Sequence, residues 1–560
     1  MTQKITNMIK HIIIVFLLAS TASISGCKKS IDTRIDTSLT DKDIASDYTR
    51  LWNFGYAPYT YVKNGFSAID HNLFAAATDE AEQTAAGSGA QLFNEGSWSA
   101  FNNPDTVYAN CYAGIRAANY FLEKYAADYK KILAYNRDTI TDHQYQYLRD
   151  VASAGWLLNE ARVLRAYFYF ELIKRYHNVP LVTKVLTAGD NTNIPQTGFG
   201  DVMQFIVSEI DAVKDNLQQD WRSYDAGSDG RITQGIALAI KARALLYAAS
   251  PLNNPSNDPA PWKKAAEAAN DIIALGRYTL DNDYRNLFLT DYTVNSPEMI
   301  WAIRLGATND PERKNYPVGT LGGNSGVTPS HNLVSAYEYT GTPDPLDPYA
   351  NRDPRLGYTV AVNNSAWNGR TIEIWEGGKD AWNKPNASRT GYYLRKFLSD
   401  NLDLVQNEST QHSWIVFRYA GILLDYAEAM NEAYGPDENN NWSLNARQAV
   451  NQVRNRTGVQ MPPIQAADQT AMRTGIKHER QIELAFEDHR FWDLLRWKDA
   501  ETILNQPLQG VRAVNNGSSY TYTVFTVEGR VFTAPKMYYY PIPLVEISKS
   551  KGVLKQNAGW

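Results

Sequence analysis

Apolar residues recur with the spacing of amphipathic helices along much of the first half of the chain. Three stretches, 202–217, 236–247 and 265–273, place apolar side chains at every third or fourth position, which is the period of an α-helix. Proline and asparagine at 251–254 and glycine at Gly276 end the second and third stretches. Alanines lie where consecutive helices would cross, so the pattern predicts stacked helix pairs like those of tetratricopeptide repeats.

The residues from 305 to about 401 have a different composition. They are rich in glycine, proline, asparagine and tryptophan, and they lack helical periodicity. A long irregular segment inside a compact protein is usually a binding or lid region, and the aromatic residues here argue against disorder. Helical periodicity resumes at Trp414. Further on, tyrosine and valine alternate between turn residues at 510–541, which predicts a small β-hairpin.

These patterns predict one mainly α-helical domain over 41–560, built from three parts. The helical scaffold is expected at about 41–304 and 402–509. The loop-rich insert covers about 305–401, and the hairpin with its tail covers about 510–560. We expect the insert and the hairpin to pack on the scaffold.

The N-terminus has the features of a secretory signal. Two lysines precede an apolar run at 11–24, which ends in two small residues and then Cys27. The run is shorter than the ~20 apolar residues that span a bilayer. A cysteine directly after small residues is typical of a bacterial lipobox. We therefore predict a signal peptide over 1–26, acylation of Cys27 and a polar, lipidated tether over 27–40. An ordinary signal with an incidental cysteine is the alternative.

Composition narrows the functional classes. The 560-residue chain has a net charge of −5, so it offers no basic field that would collect nucleic acid. Its two cysteines, Cys27 and Cys111, leave no pair for a disulfide once Cys27 is acylated, and the histidines lack the spacing of zinc ligands. We expect no metal and no cofactor. Aromatic residues form 12% of the chain, and their planar faces suit sugars and peptides alike.

Six segments, in chain order, carry a family resemblance. They are EARVLRAYFYF at 160–170 with HNVPLV at 177–182, DPR at 353–355, FRYA at 417–420 with LLDYAEA at 423–429, AVNQVRNRTG at 449–458, ERQIELAFEDHRFWDLLRW at 479–497, and PIP at 541–543 with QN at 556–557. Behind a lipobox, they resemble the SusD/RagB family of outer-membrane nutrient-binding lipoproteins over almost the whole mature chain. Ala558 departs from the family pattern, which has proline there.

The resemblance implies a fold and a function. Members of the family are mostly α-helical, with tetratricopeptide-like helix pairs forming a superhelical scaffold under a loop-rich part. They bind oligosaccharides without catalysis, and they lie as a lid on a SusC-like TonB-dependent transporter. The resemblance implies a lipid-anchored protein at the outer membrane of a Gram-negative bacterium, facing the cell exterior. A peptide ligand is the first alternative, and a surface glycosidase that uses Asp79 and Glu80 is the second.

Candidate ligand contacts come from two regions of the chain. In starch-binding members of the family an acidic residue and a tryptophan from the N-terminal region contact sugar, which implies such roles for Asp79 and Trp98. Trp98 lies in a polar, glycine-bearing loop, so we expect its ring outside the core, free to stack on a pyranose. Phe101 and Asn103 follow in the same loop. The insert adds four aromatic candidates, which are Tyr316, Trp367, Trp375 and Trp382.

A stripe of carboxylates lies on one predicted helix near the C-terminus. Glu479, Glu483 and Glu487 follow each other at intervals of four residues and so share one helix face. Paired carboxylates can serve acid–base catalysis, but arginines are interleaved here at 480, 490 and 496. We predict a structural network in which these arginines pair with the stripe or with an aspartate at 493.

Overall fold

The computed structural model describes residues 48–135, 139, 144–187, 189–190, 193–289 and 295–560. The predicted signal peptide, Cys27 and the tether lie outside the described residues. The structure is 43% helix and 11% strand, which confirms the mainly α-helical prediction. The α-helices are α1 (Tyr48–Tyr56), α2 (Gly89–Asn94), α3 (Tyr108–Tyr125), α4 (Tyr129–Ala134), α5 (Gln144–Tyr176), α6 (Phe199–Asp211), α7 (Gln234–Ala249), α8 (Pro259–Ala274), α9 (Asp310–Asn315), α10 (His331–Ala336), α11 (Arg355–Thr359), α12 (Tyr419–Tyr434), α13 (Ala446–Arg454), α14 (Gln469–Glu483), α15 (Arg490–Trp497), α16 (Ala500–Ile503) and α17 (Leu544–Lys549).

The scaffold is a series of helices that pack on their neighbours in the chain. α3 packs on α5, α5 on α6, α6 on α7 and α7 on α8, and α8 then packs on α12. α7 and α8 are both rich in buried alanines, whose short side chains let two helix backbones approach closely. Within the described ranges, no helix combines the length and the apolar character that crossing a membrane would require.

The strands of the described residues form antiparallel pairs. They are β1 (Ala81–Gln83), β2 (Met299–Thr308), β3 (Val327–Pro329), β4 (Val360–Ala361), β5 (Ala366–Trp367), β6 (Arg370–Thr371), β7 (Tyr393–Leu394), β8 (Thr410–Arg418), β9 (Leu508–Asn515) and β10 (Tyr520–Glu528). The pairs are β1 with β3, β2 with β8, β4 with β7, β5 with β6, and β9 with β10. The pairs β1–β3 and β2–β8 join segments far apart in the chain, so they fix the insert to the scaffold.

The ladder between β2 and β8 brings the two ends of the insert together. Ile303 pairs with Trp414 and Ala302 pairs with Ile415. Trp414 therefore lies in a strand, and helix α12 begins only at Tyr419, so the expectation that helical periodicity resumes at Trp414 is wrong. The reason is that consecutive residues of β8 are buried, and a continuous apolar run cannot be told from a helix by periodicity alone.

The predicted hairpin is confirmed. β9 and β10 pair from Tyr520 opposite Asn515 to Glu528 opposite Leu508. The hairpin packs against the insert, because the backbone N–H of Val511 donates to the carbonyl of Thr390 at 2.8 Å. The hairpin and the insert therefore form one continuous surface region of the molecule.

The predicted ion-pair network is confirmed at Glu483, but its arginines come from other parts of the chain. Glu483 contacts Arg355 at 2.8 Å, Arg418 at 2.7 Å and Arg456 at 2.7 Å. Arg480 and Arg496 pair with Asp493 as predicted, whereas Arg490 pairs with Asp79. Helix α14 ends at Glu483, so the expectation that Glu487 shares its face is wrong. The network thus joins α14 to the insert, to the end of β8 and to the loop after α13.

Candidate functional site

Trp98 is a core residue, so the expectation that its ring is free for a ligand is wrong. Its side chain is 2% exposed. The ring stacks on Phe93 with a centroid separation of 4.8 Å and contacts Tyr540 at 4.9 Å and Trp560 at 4.6 Å. The C-terminal tail covers the polar loop, and its aromatic rings provide the apolar surroundings that the neighbours of Trp98 in the sequence do not.

The side chains of Asp79 and Glu80 are also buried in the protein interior. Both oxygens of Asp79 accept hydrogen bonds from Arg490, at 2.9 and 2.8 Å. Burial, together with the neighbouring charge of Asp79, raises the pKa of Glu80 to about 8. Glu80 is therefore mainly protonated at neutral pH, and its Oε2 accepts the backbone N–H of Phe486 at 3.3 Å. Buried in this way, the two carboxylates lack the open geometry that a glycosidase pair needs around a bond.

The other candidates of the N-terminal loop lie at the surface. Phe101 is 87% exposed. Asn103 is half-buried, and its side chain accepts the backbone N–H of Asp105 at 3.0 Å, which closes a tight turn. The loop is held to α17, where the N–H of Leu544 donates to the carbonyl of Ala100 at 3.0 Å. Phe101 is therefore exposed, whereas Asp79 and Trp98 are each buried.

Two insert candidates pack on each other inside the insert. The rings of Tyr316 and Trp367 meet edge to face with centroids 5.2 Å apart, and both side chains are buried. The hydroxyl of Tyr316 donates to the carbonyl of Ser399. Neither ring presents a face to solvent, so these two residues hold the insert together instead of offering a surface for a ligand.

Trp375 and Trp382 contact opposite faces of the β9–β10 hairpin. Trp375 lies against Tyr520, with ring centroids 5.4 Å apart. Trp382 lies over the guanidinium of Arg512, whose Cζ is 3.9 Å from the ring centroid. Side chains alternate between the faces of a strand, so Tyr520 and Arg512 point in opposite directions. We call Trp375, Trp382, Arg512, Tyr520 and Phe525 the hairpin aromatic site.

Trp382 is the most accessible aromatic residue of this site. Its side chain is 44% exposed, whereas Trp375 is half-buried. Phe525 shares a hairpin face with Arg512, because the cross-strand partner of Arg512 is Thr523, two residues before Phe525. Cζ of Arg512 lies 4.6 Å from the centroid of the Phe525 ring. The guanidinium thus contacts two aromatic rings, and one of them, that of Trp382, remains exposed to solvent.

A layer of tyrosines supports the other face of the hairpin. Tyr522 packs edge to face on Tyr349 at 5.4 Å, and its hydroxyl accepts a hydrogen bond from the amide of Asn363 at 3.0 Å. Tyr349 in turn contacts Tyr392, whose hydroxyl lies 2.8 Å from Nδ1 of His331. These contacts fix the hairpin on the insert, so the site stands on a rigid base.

Three members of the site, Arg512, Tyr520 and Phe525, are not among the residues chosen from the sequence. The alternation of tyrosine and valine predicts the hairpin, and the same period of two assigns Arg512 and Phe525 to one face and Tyr520 to the other. The two-residue period does not predict the contact with Trp382, because Trp382 lies more than a hundred residues earlier in the chain.

A separate cavity of about 90 Å³ lies between α5 and β8. Glu171, Lys174 and Arg175 contribute to its lining, and Glu171 pairs with both bases at 2.8 and 2.6 Å. Burial alone would raise the pKa of Glu171, but Lys174 and Arg175 lower it to about 2. The carboxylate of Glu171 and the two basic side chains therefore form ion pairs with one another. In the part of the chain that the structure describes, no group of three or more His, Cys, Asp or Glu residues is arranged to hold a metal ion.

Comparisons with known proteins agree on one family. Residues 289–560 match the sequence model of the SusD family. A SusD-like protein, P38, of Formosa agariphila is 27% identical over 383 residues, which are 63% of this chain and 68% of the relative. A SusD-like protein of Bacteroides ovatus is 25% identical over 347 residues, which are 60% of this chain and 58% of the relative.

Solved structures show the same similarity over nearly the full length. A SusD-like protein of Bacteroides fragilis superposes with a TM-score of 0.76 at 26% identity, covering 93% of this chain and 99% of that one. A SusD-like carbohydrate-binding protein of the same organism has a TM-score of 0.73 at 24% identity, covering 91% and 99%. The second match shows a shared fold.

Proposed function

We propose, from the premise that this chain is a SusD-like protein, that it binds an oligosaccharide at the hairpin aromatic site without chemically changing it. The observation that carries the proposal is Trp382, a large aromatic side chain that is 44% exposed on a rigid base. An indole face stacks on the apolar side of a pyranose ring, while neighbouring polar groups bind its hydroxyls. Binding of this kind needs no nucleophile and no metal.

The polar groups next to Trp382 suit this role. Asn383 and Lys384 directly follow it and are exposed, and Arg512 supplies guanidinium N–H groups on the opposite side of the ring. A sugar stacked on the outer face of the indole would lie beside Asn383 and Lys384, and a substituent that extends past the edge of the ring would approach Arg512. Trp375 and Tyr520 form a second, half-buried aromatic contact at the other face of the hairpin.

The proposal includes a location and a partner. Acylation at Cys27 would hold the protein at the outer membrane through a tether over 27–40, with the domain over 41–560 facing the cell exterior. There it would pass its ligand to a SusC-like TonB-dependent transporter as part of polysaccharide utilization. The support for this part is the lipobox and the carbohydrate-binding function of related SusD-like proteins.

Calorimetric titration of the purified protein with a panel of glycans and peptides tests the ligand class. We expect glycans to bind, and we expect Trp382→Ala to weaken that binding about tenfold to a hundredfold, which is about 1–3 kcal/mol for one stacked aromatic contact. Tyr135→Ala is the matched control, since it removes an aromatic side chain that is 64% exposed outside the site. Binding of peptides only, or unchanged glycan affinity in Trp382→Ala, would overturn the proposal.

The same mixtures test the absence of chemistry. Incubation of the protein with each bound glycan should release no new reducing ends. Release that disappears in Glu80→Gln would instead support the glycosidase alternative and contradict the buried, protonated state of that carboxyl group.

A further inference from the structure

Arg512 lacks a carboxylate partner, unlike its neighbours. Arg370 pairs with Asp380 at 2.6 Å, and Arg389 lies 3.1 Å from Glu82. No side-chain hydrogen bond or ion pair to Arg512 occurs among the residues that the structure describes, and its Nη1 is buried without an acceptor. Its contacts are the rings of Trp382 and Phe525.

An unpaired guanidinium in this position is poised for an anion. Burial of a donor without an acceptor is unfavourable, so a partner that supplies one gains more here than at a fully hydrated site. The centroids of the Trp382 and Phe525 rings lie 3.9 and 4.6 Å from Cζ, so an anion would approach through the N–H groups that the rings leave uncovered. A planar guanidinium binds carboxylate and sulfate oxygens through two parallel N–H bonds.

The charges around Trp382 favour the same kind of ligand. Lys379 and Lys384 flank Trp382 in the chain, are exposed, and take part in no ion pair within the described ranges. Arg512 is the only basic residue of the hairpin strands and their turn, 508–528. Among nearby acids, Asp380 pairs with Arg370 and Glu528 pairs with Arg530, which leaves the two carboxylates of Glu373 and Glu376 against three basic groups. The local field is therefore positive, although the whole chain has a net charge of −5.

We propose that the hairpin aromatic site selects acidic oligosaccharides, with a carboxylate or sulfate group of the sugar bound at Arg512 while a neighbouring ring stacks on Trp382. This rests on the proposed glycan-binding function and adds a substrate class to it. Trp382 provides affinity for the sugar ring, and Arg512 provides discrimination between a charged glycan and its neutral counterpart.

Matched pairs of oligosaccharides test this selectivity. The probes are alginate oligomers with their carboxyl-reduced forms, and carrageenan oligomers with their desulfated forms, each titrated into the full chain. We expect the acidic member of at least one pair to bind roughly tenfold tighter or more at low salt, and the gap to narrow as salt is added. The carboxylate and sulfate arms show which acid group the site takes.

Three variants assign the selectivity to Arg512. Arg512→Met keeps a long apolar side chain in contact with the rings and should reduce the affinity for the acidic member to that for the neutral one, without lowering the melting temperature much. Arg512→Lys should keep part of the preference, because the charge remains but the paired N–H geometry is lost. Arg277→Met removes an exposed arginine outside the site and should leave the preference for the acidic member unchanged.

The outcomes separate this inference from the proposed function. Equal affinity for both members of every pair, with binding that Trp382→Ala still weakens, would overturn the selectivity and leave glycan binding standing. A preference that persists in Arg512→Met would overturn the role of Arg512. Failure of every glycan to bind would overturn both proposals together.

Discussion

The indole of Trp98 fills a space bounded by three aromatic rings, and two of them come from the last twenty-one residues of the chain. Removing a buried tryptophan deletes apolar contacts and leaves a cavity. We expect Trp98→Ala to lower the free energy of unfolding by about 3–5 kcal/mol, while the affinity of the remaining folded protein for its glycan stays unchanged. Melting temperature and binding should be measured on one preparation.

Phe101 provides the comparison in the same loop. Its side chain is largely exposed, so Phe101→Ala should change the unfolding free energy by less than about 0.5 kcal/mol. A normal melting temperature combined with lost glycan binding in Trp98→Ala would contradict the packing role and return Trp98 to the binding site.

The contrast between Trp98 and Trp382 shows what local sequence can and cannot reveal about a site. Both tryptophans lie in polar, irregular segments, and the family resemblance favours Trp98 over Trp382 as a ligand contact. Only Trp382 is exposed, because Trp98 is covered by a tail more than four hundred residues later in the chain. Polar neighbours in sequence describe the loop, whereas burial depends on which distant segment folds over it.

At the scale of elements, periodicity predicts the helices and the hairpin but not the strand β8. Helices α6, α7 and α8 and the β9–β10 pair follow patterns of 3.6 and 2 residues that are visible in the sequence. β8 is a buried run whose identity depends on β2, about a hundred residues earlier. Likewise Glu479 and Glu483 lie on α14 as the sequence predicts, but Glu487 lies beyond its end, and the arginines that neutralise Glu483 are supplied by three separate segments.

The network around Glu483 should hold these elements together. Glu483→Gln removes the one carboxylate that contacts all three buried arginines. Because Arg355 keeps Asp353, and Arg418 and Arg456 keep Glu298, we expect a loss of about 1–3 kcal/mol of stability at neutral pH. Glu546→Gln breaks the exposed pair with Lys549 and should cost less than about 1 kcal/mol. Chemical denaturation of the wild type and both variants measures the difference.

The pH dependence of that difference gives a second test. Burial alone would raise the pKa of Glu483, but Arg456, Arg418 and Arg355 hold it well below the ordinary value of 4.5. A carboxylate with a lowered pKa contributes its stability above pH 4.5 and loses it as the pH falls toward the folded-state pKa. The advantage of the wild type over Glu483→Gln should therefore shrink in acid. A constant advantage from pH 7 to pH 3 would contradict the charge-based account.

At the scale of the whole molecule, the helical scaffold presents the insert and the hairpin as one unit. The β2–β8 ladder closes the insert, the β1–β3 pair ties it to the N-terminal segment, and the hairpin packs on it through Val511 and Thr390. A ligand bound at the hairpin aromatic site would therefore be held by segments that are fixed to the scaffold at several points. Such a base limits the ordering cost that binding must overcome.

Acylation of Cys27 would hold the whole molecule at the membrane. Acyl chains on Cys27 would supply about 0.8 kcal/mol per buried methylene, and more than one chain gives stable anchoring. We expect Cys27→Ala to move the protein from the membrane fraction to the aqueous fraction while its melting temperature and glycan affinity stay unchanged. Cys111→Ala is the matched control, because Cys111 is buried in α3 and should not affect membrane retention.

Two further measurements make the anchoring test decisive. Mass spectrometry of the mature N-terminal peptide should show acyl groups on Cys27 and no residues before it. Expression without a SusC-like transporter excludes retention through that partner, so a Cys27→Ala protein that still sediments with membranes under this condition would contradict the lipid anchor. If the Cys27→Ala protein is released only when the transporter is absent, then both the lipid anchor and the transporter retain the wild-type protein. The tether would then only need to keep the proposed glycan-binding domain near the mouth of the transporter.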